Sequence, residues 1–249
     1  MKPVAPRYSV IIPAYNEEAF LPETLRSLRE AMAATSEPGE VIVVDNRSTD
    51  RTAEVARAGG ADRVVHEPVN QISRARNAGA RAVDPAVEWL IFLDADTRLP
   101  AELLRQALAH LAAGDTCGGG AITVADRPMP GHVERLLATW NAAASWFGMA
   151  AGSFVWCRRD AFEGIGGFDE GVYAGEEVWL SRRLRRWGRR RGLAFRVLSD
   201  PPIVTSGRKS EWFSGWDFAR QLAVLLFCPW ATRSKRLCRL WYTRPASPP

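Results

Sequence analysis

The sequence is poor in the residues that build disulfide scaffolds or zinc clusters, and it contains no long apolar run. Its 249 residues include four cysteines and three histidines, which are scattered along the chain. Such a set excludes a disulfide framework and suits a reducing compartment, in which cysteines are small buried apolar residues. The longest apolar run, residues 222–230, includes a proline, and a bilayer-spanning helix needs about 20 apolar residues. We therefore expect a cytoplasmic protein that is soluble or rests on a membrane surface.

Several motifs of common enzyme classes are also missing. The first apolar run, residues 10–12, ends at Pro13, so the start of the sequence does not predict a signal peptide. There is no Walker-type phosphate loop, no glycine-rich dinucleotide loop after a strand and no nucleophile-elbow serine. These absences argue against P-loop chemistry, Rossmann cofactors and serine hydrolases of the elbow type.

Positive charge is concentrated at one end of the chain. Residues 1–181 contain 17 basic and 25 acidic side chains, whereas residues 182–249 contain 16 basic and 3 acidic ones. The two segments carry formal charges of −8 and +13, which give the net charge of +5. A uniformly basic nucleic-acid binder would not confine its charge in this way, and no recognised nucleic-acid module surrounds the arginine-rich stretch 182–191. We therefore expect no nucleic-acid partner.

The first hundred residues alternate between β-rich runs and helical patterns, which predicts β–α units in series. The strands predicted in this half are 8–12, 41–44, 63–66 and 89–93, each followed by a helix. The later predicted elements are strands at 118–124, entered through a glycine turn, at 153–157 and at 193–198, and helices over 131–147 and from Glu176. Strands that are apolar on both faces predict an α/β fold with a mostly parallel central sheet flanked by helices.

Ligands bind such sheets at the carboxyl ends of the strands, where this sequence carries its most polar loops. Asp94 and Asp96 end one strand, and two carboxylates there can hold a hard divalent cation that bridges phosphate oxygens. An isolated pair of this kind more often forms a strand-end turn. Asp45 ends another strand, where it can accept hydrogen bonds from a base or ribose, or form a turn with Asn46 and Ser48.

Charged residues near two helix starts are further candidates. Arg74 and Arg76 have the forked side chain that suits phosphate or carboxylate partners, or else they lie on a solvated face. Ser73 is predicted to cap their helix. Glu176 and Glu177 follow a glycine-rich loop, and neighbours on a helix point about 100° apart. We expect one of them to face the site and the other to lie at the helix N-terminus, where negative charge is favourable.

Together these motifs resemble the inverting family 2 glycosyltransferases of the GT-A fold. Each motif is weak alone, whereas six in the family's order between residues 8 and 190 are specific. They are the nucleotide loop 10–18, the second motif 43–50, the arginine-bearing helix start 73–79, the D-x-D segment 92–96, the acceptor-side segments 158–162 and 166–170, and Gly175-Glu176-Glu177, where the family usually has Gly-Glu-Asp.

The resemblance implies a metal-dependent inverting transfer of a sugar from a nucleoside diphosphate sugar, with UDP as the expected nucleotide, to an acceptor hydroxyl. It implies that Asp96, helped by Asp94, holds Mn²⁺ or Mg²⁺. Glu177 is the implied general base, with Glu176 as the alternative because the family has the shorter aspartate there. The implied nucleotide-binding residues are Pro13, Ala14, Tyr15 and Glu17 around the nucleoside, Asp45 at the base, and Arg76 and Asp94 near the diphosphate.

The expected organisation is one catalytic domain, 1–204, with a nucleotide- and metal-binding half, 1–115, and an acceptor half, 116–204. The basic, tryptophan-rich tail 205–249 is interpreted either as an amphipathic segment on an anionic membrane or as a tail packed on the domain. On the first interpretation it brings the enzyme to a lipid-linked acceptor at the inner face of the cell membrane. The loop 205–209 either closes over the diphosphate or is an ordinary linker.

Two other functions stay open. A sugar-phosphate nucleotidyltransferase also pairs a nucleotide-binding sheet with metal carboxylates, but its first loop usually carries glycine and basic residues, which 13–18 lack. A non-catalytic module that binds sugar nucleotides or a membrane surface would not need Asp94, Asp96 and an acidic residue at the base position, all of which are present.

Overall fold

The computed structural model describes residues 4–208 without a break, and beyond them 212–213, 216–217, 220, 229–238 and 242. Each predicted strand and helix is present in the predicted order, with a two-residue strand, a short helix and a 3-10 helix in addition. The first half contains β1 (Tyr8–Ala14), α1 (Leu21–Ala33), β2 (Gly39–Asp45), α2 (Thr52–Ala58), β3 (Arg63–His66), α3 (Ile72–Arg81), β4 (Trp89–Leu93), β5 (Thr97–Arg98) and α4 (Ala101–Ala113). The second half contains β6 (Thr116–Ala125), α5 (Gly131–Phe147), β7 (Phe154–Arg158), α6 (Arg159–Gly164), α7 (Glu176–Arg189), β8 (Ala194–Thr205) and a 3-10 helix, Pro229–Arg233.

The strands of the described residues form one sheet in the order β3-β2-β1-β4-β7-β6-β8-β5. Parallel pairing joins β3 to β2, β2 to β1, β1 to β4 and β6 to β8. β7 runs antiparallel between β4 and β6, and β5 runs antiparallel to β8. The predicted α/β fold with a mostly parallel sheet is therefore confirmed, and the sheet contains strands from both sides of residue 115.

Helices cover both faces of this sheet. Because side chains alternate along a strand, Val10 and Ile12 of β1 pack with the leucines of α1 and α4, whereas Ile11 packs with α3 on the opposite face. That opposite face also receives Leu180 and Leu184 of α7. The two buried layers fix the strand ends relative to the starts of α3 and α7, which carry the candidate site residues.

The glycines 118–120 lie inside β6, so the predicted strand 118–124 is confirmed over its whole length. All three are buried, and β6 pairs on both sides, with β7 and with β8. A Cβ at Gly119 would overlap the carbonyl oxygen of Arg196 and the ring of Trp156. Glycine here permits a close approach of neighbouring strands.

Two local predictions need correction. α3 begins at Ile72 with no side-chain cap, and the Ser73 hydroxyl instead donates to the carbonyl oxygen of Val172 at 3.3 Å. The last strand is longer than predicted, because β8 continues to Thr205 and pairs there with Thr97 of β5. None of the described helices is long and apolar enough to cross a membrane.

Candidate active site

The loops that follow β1 and β2 hold each other through hydrogen bonds. The backbone N–H of Asn46 donates to the carbonyl oxygen of Ala14 at 2.8 Å, and that of Asn16 donates to Ser48 Oγ at 3.0 Å. In return, Asn16 Oδ1 accepts from the backbone N–H of Thr49 at 2.8 Å. Asn16 has a φ of 51°, in the left-handed region that asparagine tolerates well. The carboxyl ends of both strands therefore form one continuous polar edge.

The predicted nucleoside-binding residues lie along this edge. Those that are partly exposed are Pro13, Tyr15 and Asp45, and those that are buried are Ala14 and Glu17. Asp45 does form the alternative turn, since its Oδ1 accepts from the backbone N–H of Ser48 at 2.9 Å. Its Oδ2 lies 3.2 Å from Nδ1 of His66. This largely exposed residue lies at the end of β3 and is not among the predicted site residues.

A fully buried arginine joins the end of β4 to the start of α7. Arg76 Nη2 donates to Asp94 Oδ1 at 2.8 Å and to the carbonyl oxygen of Gly152 at 2.9 Å. Its Nη1 donates to Glu176 Oε1 at 2.6 Å. Burial by itself would lower the pKa of this guanidinium, but the charges of Asp94 and Glu176 raise it overall, so Arg76 stays protonated. The structure thus brings Arg76, Asp94 and Glu176 together.

Glu176 and Glu177 differ in their surroundings, as the helical geometry predicts. Glu176 is buried against Arg76, whereas Glu177 is partly exposed. A Cβ at Gly152 would lie 3.6 Å from Cδ of Glu177 and 3.5 Å from Nη2 of Arg76, so the second carboxylate lies beside the same network. Burial, and next the charge of Glu176, raise the pKa of Glu177 to about 8. A pKa raised in this way favours the protonated form of Glu177 more than in an ordinary exposed glutamate.

Asp96 and Glu17 share Arg208, which lies in the loop 205–209 and is not among the predicted site residues. Arg208 donates from Nη1 and Nη2 to the two carboxylate oxygens of Glu17, at 2.8 and 2.6 Å. Its Nη2 also lies 3.0 Å from Asp96 Oδ2. The D-x-D pair therefore lies between two arginines, with Arg76 at Asp94 and Arg208 at Asp96.

α3 also holds the acceptor-side segment in place. Asn77 Nδ2 donates to the carbonyl oxygen of Phe168 at 3.0 Å, and its Oδ1 accepts from the backbone N–H of Phe168 at 2.9 Å. Arg74 Nη1 pairs with Glu170 Oε2 at 3.0 Å, so Arg74 takes a carboxylate partner within the protein. The segment leading to Glu176 and Glu177 is therefore fixed against the helix that carries Arg76.

Part of the predicted tail packs on this segment. The carbonyl oxygen of Thr232 accepts from the backbone N–H of Tyr173 at 2.6 Å, and Arg233 Nη2 lies 3.0 Å from Asp169 Oδ2. The buried residues of this part are Ala231 and Cys238, and the exposed tryptophans among the described tail residues are Trp216 and Trp230. Much of the tail, including Lys209, Arg239 and Trp241, lies outside the described residues.

Comparison with known families and proteins gives a consistent result. A family model described as glycosyl transferase family 2 matches residues 9–166. An uncharacterized glycosyltransferase, YkcC, from Bacillus subtilis is 31% identical over 108 residues, which are 41% of this chain and 32% of the relative. An undecaprenyl-phosphate 4-deoxy-4-formamido-L-arabinose transferase from Pseudomonas paraeruginosa is 38% identical over 112 residues, 43% of this chain and 32% of the relative. The matched region is thus about a third of the length of these curated relatives.

Two solved structures share the fold. A mannosyltransferase from Pyrobaculum calidifontis, in complex with GDP-Man and Mn²⁺, has a TM-score of 0.62 at 20% identity, covering 99% of this chain and 67% of its own. Glucosyl-3-phosphoglycerate synthase from Mycobacterium tuberculosis, in complex with Mn²⁺, UDP and glucosyl-3-phosphoglycerate, has a TM-score of 0.63 at 19% identity, covering 97% and 82%. The similarity extends over nearly the whole of this chain, which has the GT-A fold of these enzymes.

Proposed function

We propose that this chain, which belongs to glycosyl transferase family 2, transfers a sugar from a nucleoside diphosphate sugar to an acceptor with inversion at the anomeric carbon. One observation carries the proposal. Arg76 holds Asp94, at the proposed metal position, and Glu176, next to the proposed base, within one buried ion-pair network. The groups proposed to activate the donor and to deprotonate the acceptor therefore lie close together at the edge of the sheet.

The donor's nucleoside is proposed to bind along the edge formed by the loops after β1 and β2. Pro13, Ala14, Tyr15 and Glu17 line this edge, and Asp45 reads the base. The contacts between the two loops support this role, because they fix the edge before a ligand arrives and so lower the ordering cost of binding. UDP is the proposed nucleotide, and the family neighbours in complex with UDP support it.

Asp96 and Asp94 are the proposed ligands of Mn²⁺ or Mg²⁺. These carboxylates fit a hard cation, and Asp96 already pairs with a positive group, the guanidinium of Arg208. The described residues contain no cluster of three or more His, Cys, Asp or Glu side chains that could hold a metal ion. When bound, such a cation stabilises the charge that develops on the departing diphosphate.

Glu177 is the proposed general base. Its carboxylate accepts the proton of the attacking acceptor oxygen, which belongs to a hydroxyl or to a singly protonated phosphate monoester, as that oxygen forms its bond to the anomeric carbon. The bond from this carbon to the diphosphate oxygen breaks on the opposite side, and its electron pair leaves with the nucleoside diphosphate, as in an inverting displacement. Glu176 is the weaker candidate because its carboxylate is paired with Arg76. A lipid-linked acceptor is proposed, since one relative's name specifies undecaprenyl phosphate.

The test is a donor panel of UDP-glucose, UDP-GlcNAc and GDP-mannose with Mn²⁺, in which released nucleoside diphosphate and the products formed on polyprenyl phosphates and soluble sugars are measured. We expect the wild type to release nucleoside diphosphate, and we expect Asp96→Asn and Glu177→Gln to abolish this release. Glu163→Gln, an exposed control on α6, is expected to leave it unchanged. Pyrophosphate formed from UTP and a sugar phosphate would instead identify a nucleotidyltransferase. Donor binding without turnover under every condition would identify a binding module.

A further inference from the structure

Arg208 lies at a position where it neutralises Asp96, one of the two proposed metal ligands. Its two terminal nitrogens pair with Glu17, and one of them lies 3.0 Å from Asp96 Oδ2. The side chains of Arg208 and Glu17 are only 7% and 6% exposed. An ion pair buried to this extent requires close geometry to offset its desolvation cost, so the arrangement is specific to the fold.

Several contacts hold the segment that carries Arg208. The pairing of Thr97 with Thr205 brings the end of β8 beside the D-x-D motif. Beyond it, the backbone N–H of Ser206 donates to the carbonyl oxygen of Asp96 at 3.1 Å. The guanidinium also lies over two aromatic rings, 4.3 Å from the centroid of Phe20 and 5.2 Å from that of Trp212. Arg208 is thus held by aromatic contacts as well as by its carboxylate partners.

The guanidinium retains an unused donor. Arg208 Nε is buried and has no hydrogen-bond partner among the described residues. Arginine offers five N–H donors in a planar fork that matches phosphate oxygens. A buried donor without a partner costs free energy. An anion with several oxygens can therefore accept hydrogen bonds from more of the N–H groups of Arg208 than the two carboxylates do.

We propose that Arg208 and the divalent cation compete for Asp96. The donor's diphosphate favours the cation in this competition, because it binds the guanidinium of Arg208 itself. The inference rests on the proposed function for the identity of this anion. Two positive groups on one carboxylate oxygen repel each other, so the cation binds weakly while Arg208 remains on Asp96. A diphosphate supplies both a better partner for the fork and further ligands for the cation. Metal and donor therefore enter together.

The competition predicts a measurable coupling between cation and nucleotide. Arg208→Gln removes the positive charge and keeps a hydrogen-bonding group, so Mn²⁺ alone binds this variant more tightly than it binds the wild type. We expect a gain of about fivefold or more, the lower end of typical coupling between sites. The coupling between Mn²⁺ and UDP then falls by the same factor. Arg208→Lys keeps the charge, so its affinity for Mn²⁺ alone stays near that of the wild type.

The experiment is a titration of free Mn²⁺ followed by electron paramagnetic resonance, without nucleotide, with UDP and with inorganic pyrophosphate. Arg105→Ala, an exposed arginine on α4, is the matched control and leaves every affinity unchanged. If Arg208→Gln does not fold, the variant Glu17→Gln/Arg208→Gln replaces the ion pair by a neutral pair and carries the same expectation. Mn²⁺ affinity of the Gln variants equal to that of the wild type, without nucleotide, would overturn the competition. This readout needs no donor, acceptor or turnover, so it separates the failure of this inference from the failure of the proposed function.

Discussion

At the scale of single residues, two adjacent glutamates at the start of α7 have different surroundings and therefore different proposed roles. Glu176 is buried, and its carboxylate pairs with Arg76 at 2.6 Å. Partial burial, and next the charge of Glu176, raise the pKa of Glu177, which favours its protonated form. The sequence predicts that the two side chains diverge, and the family resemblance implies Glu177 as the base. The pairing of Arg76 with Glu176, 100 positions away, supports this proposed choice.

The raised pKa of Glu177 predicts the pH dependence of transfer. A general base must be deprotonated to accept a proton, so the rate increases with pH until the carboxyl group has ionised, at about pH 8. Below that pH, kcat/KM is expected to fall about tenfold per pH unit as the carboxylate takes up a proton. The measurement is a profile of kcat/KM against pH with the donor that the panel identifies.

Glu177→Gln is the corresponding variant. It lacks the titrating group and is expected to lose transfer at every pH while it still binds UDP. Glu163→Gln, on the exposed face of α6, retains the wild-type profile. A wild-type profile that shows no decrease below pH 8, or wild-type turnover by the glutamine variant, would contradict the assignment of Glu177 as the base.

Arg76 predicts a large effect on stability. Arg76→Met leaves the carboxylates of Asp94 and Glu176 without their buried counter-charge, which is expected to lower the free energy of unfolding by about 3–5 kcal/mol. Urea denaturation measures this loss. Arg105→Ala, which removes an arginine from the exposed surface of α4, is expected to change stability by less than about 0.5 kcal/mol. A methionine variant as stable as the wild type would show that the network does not hold the site together.

At the scale of elements, local patterns predict most of the sheet, whereas long-range pairing does not follow from them. The four strands of the first half are apolar runs bounded by polar loops, and the structure places a strand at each of them. The two-residue strand β5 has no hydrophobic pattern of its own and exists because the end of β8 pairs with it. Arg208 reaches Glu17 across 191 positions through this pairing, so the sequence alone does not predict their contact.

β6 supplies a test at this scale. Gly119 is crowded by the backbone of β8 and by the ring of Trp156, so Gly119→Ala forces strands apart in the middle of the sheet. We expect a loss of about 1–3 kcal/mol in the free energy of unfolding, measured with urea. Gly131→Ala is the matched control, because nothing lies within 4 Å of its Cβ position at the start of α5. Equal stability of the two variants would contradict the packing explanation for the glycines of β6.

At the scale of the whole molecule, the charge asymmetry is partly neutralised within the fold. Basic residues after position 181 pair with acidic residues before it, and four such ion pairs, formed by three arginines, are described. They are Arg196 with Asp115, Arg208 with Glu17 and Asp96, and Arg233 with Asp169. Some of the positive charge after residue 181 therefore forms ion pairs with the acidic residues before it. Trp216 and Trp230 are exposed, and the contact of the tail with a membrane stays a prediction.

The contact between residues 229–238 and the segment before α7 leads to a prediction about the tail. The backbone N–H of Tyr173 is protected by the carbonyl oxygen of Thr232 at 2.6 Å, and Arg233 pairs with Asp169 beside it. A chain truncated after residue 228 loses both contacts. Hydrogen exchange at Tyr173 is then expected to be faster than in the full chain, since local opening no longer requires the tail to leave.

The control lies in the same segment. The backbone N–H of Phe168 donates to Asn77 Oδ1 within the domain, so its exchange is expected to be the same in both chains. Equal exchange at Tyr173 in the full and truncated chains would show that the tail does not hold this segment. Faster exchange at Tyr173 alone would show that the tail stabilises the approach to Glu176 and Glu177, and truncation should then also lower kcat through the looser placement of the proposed base.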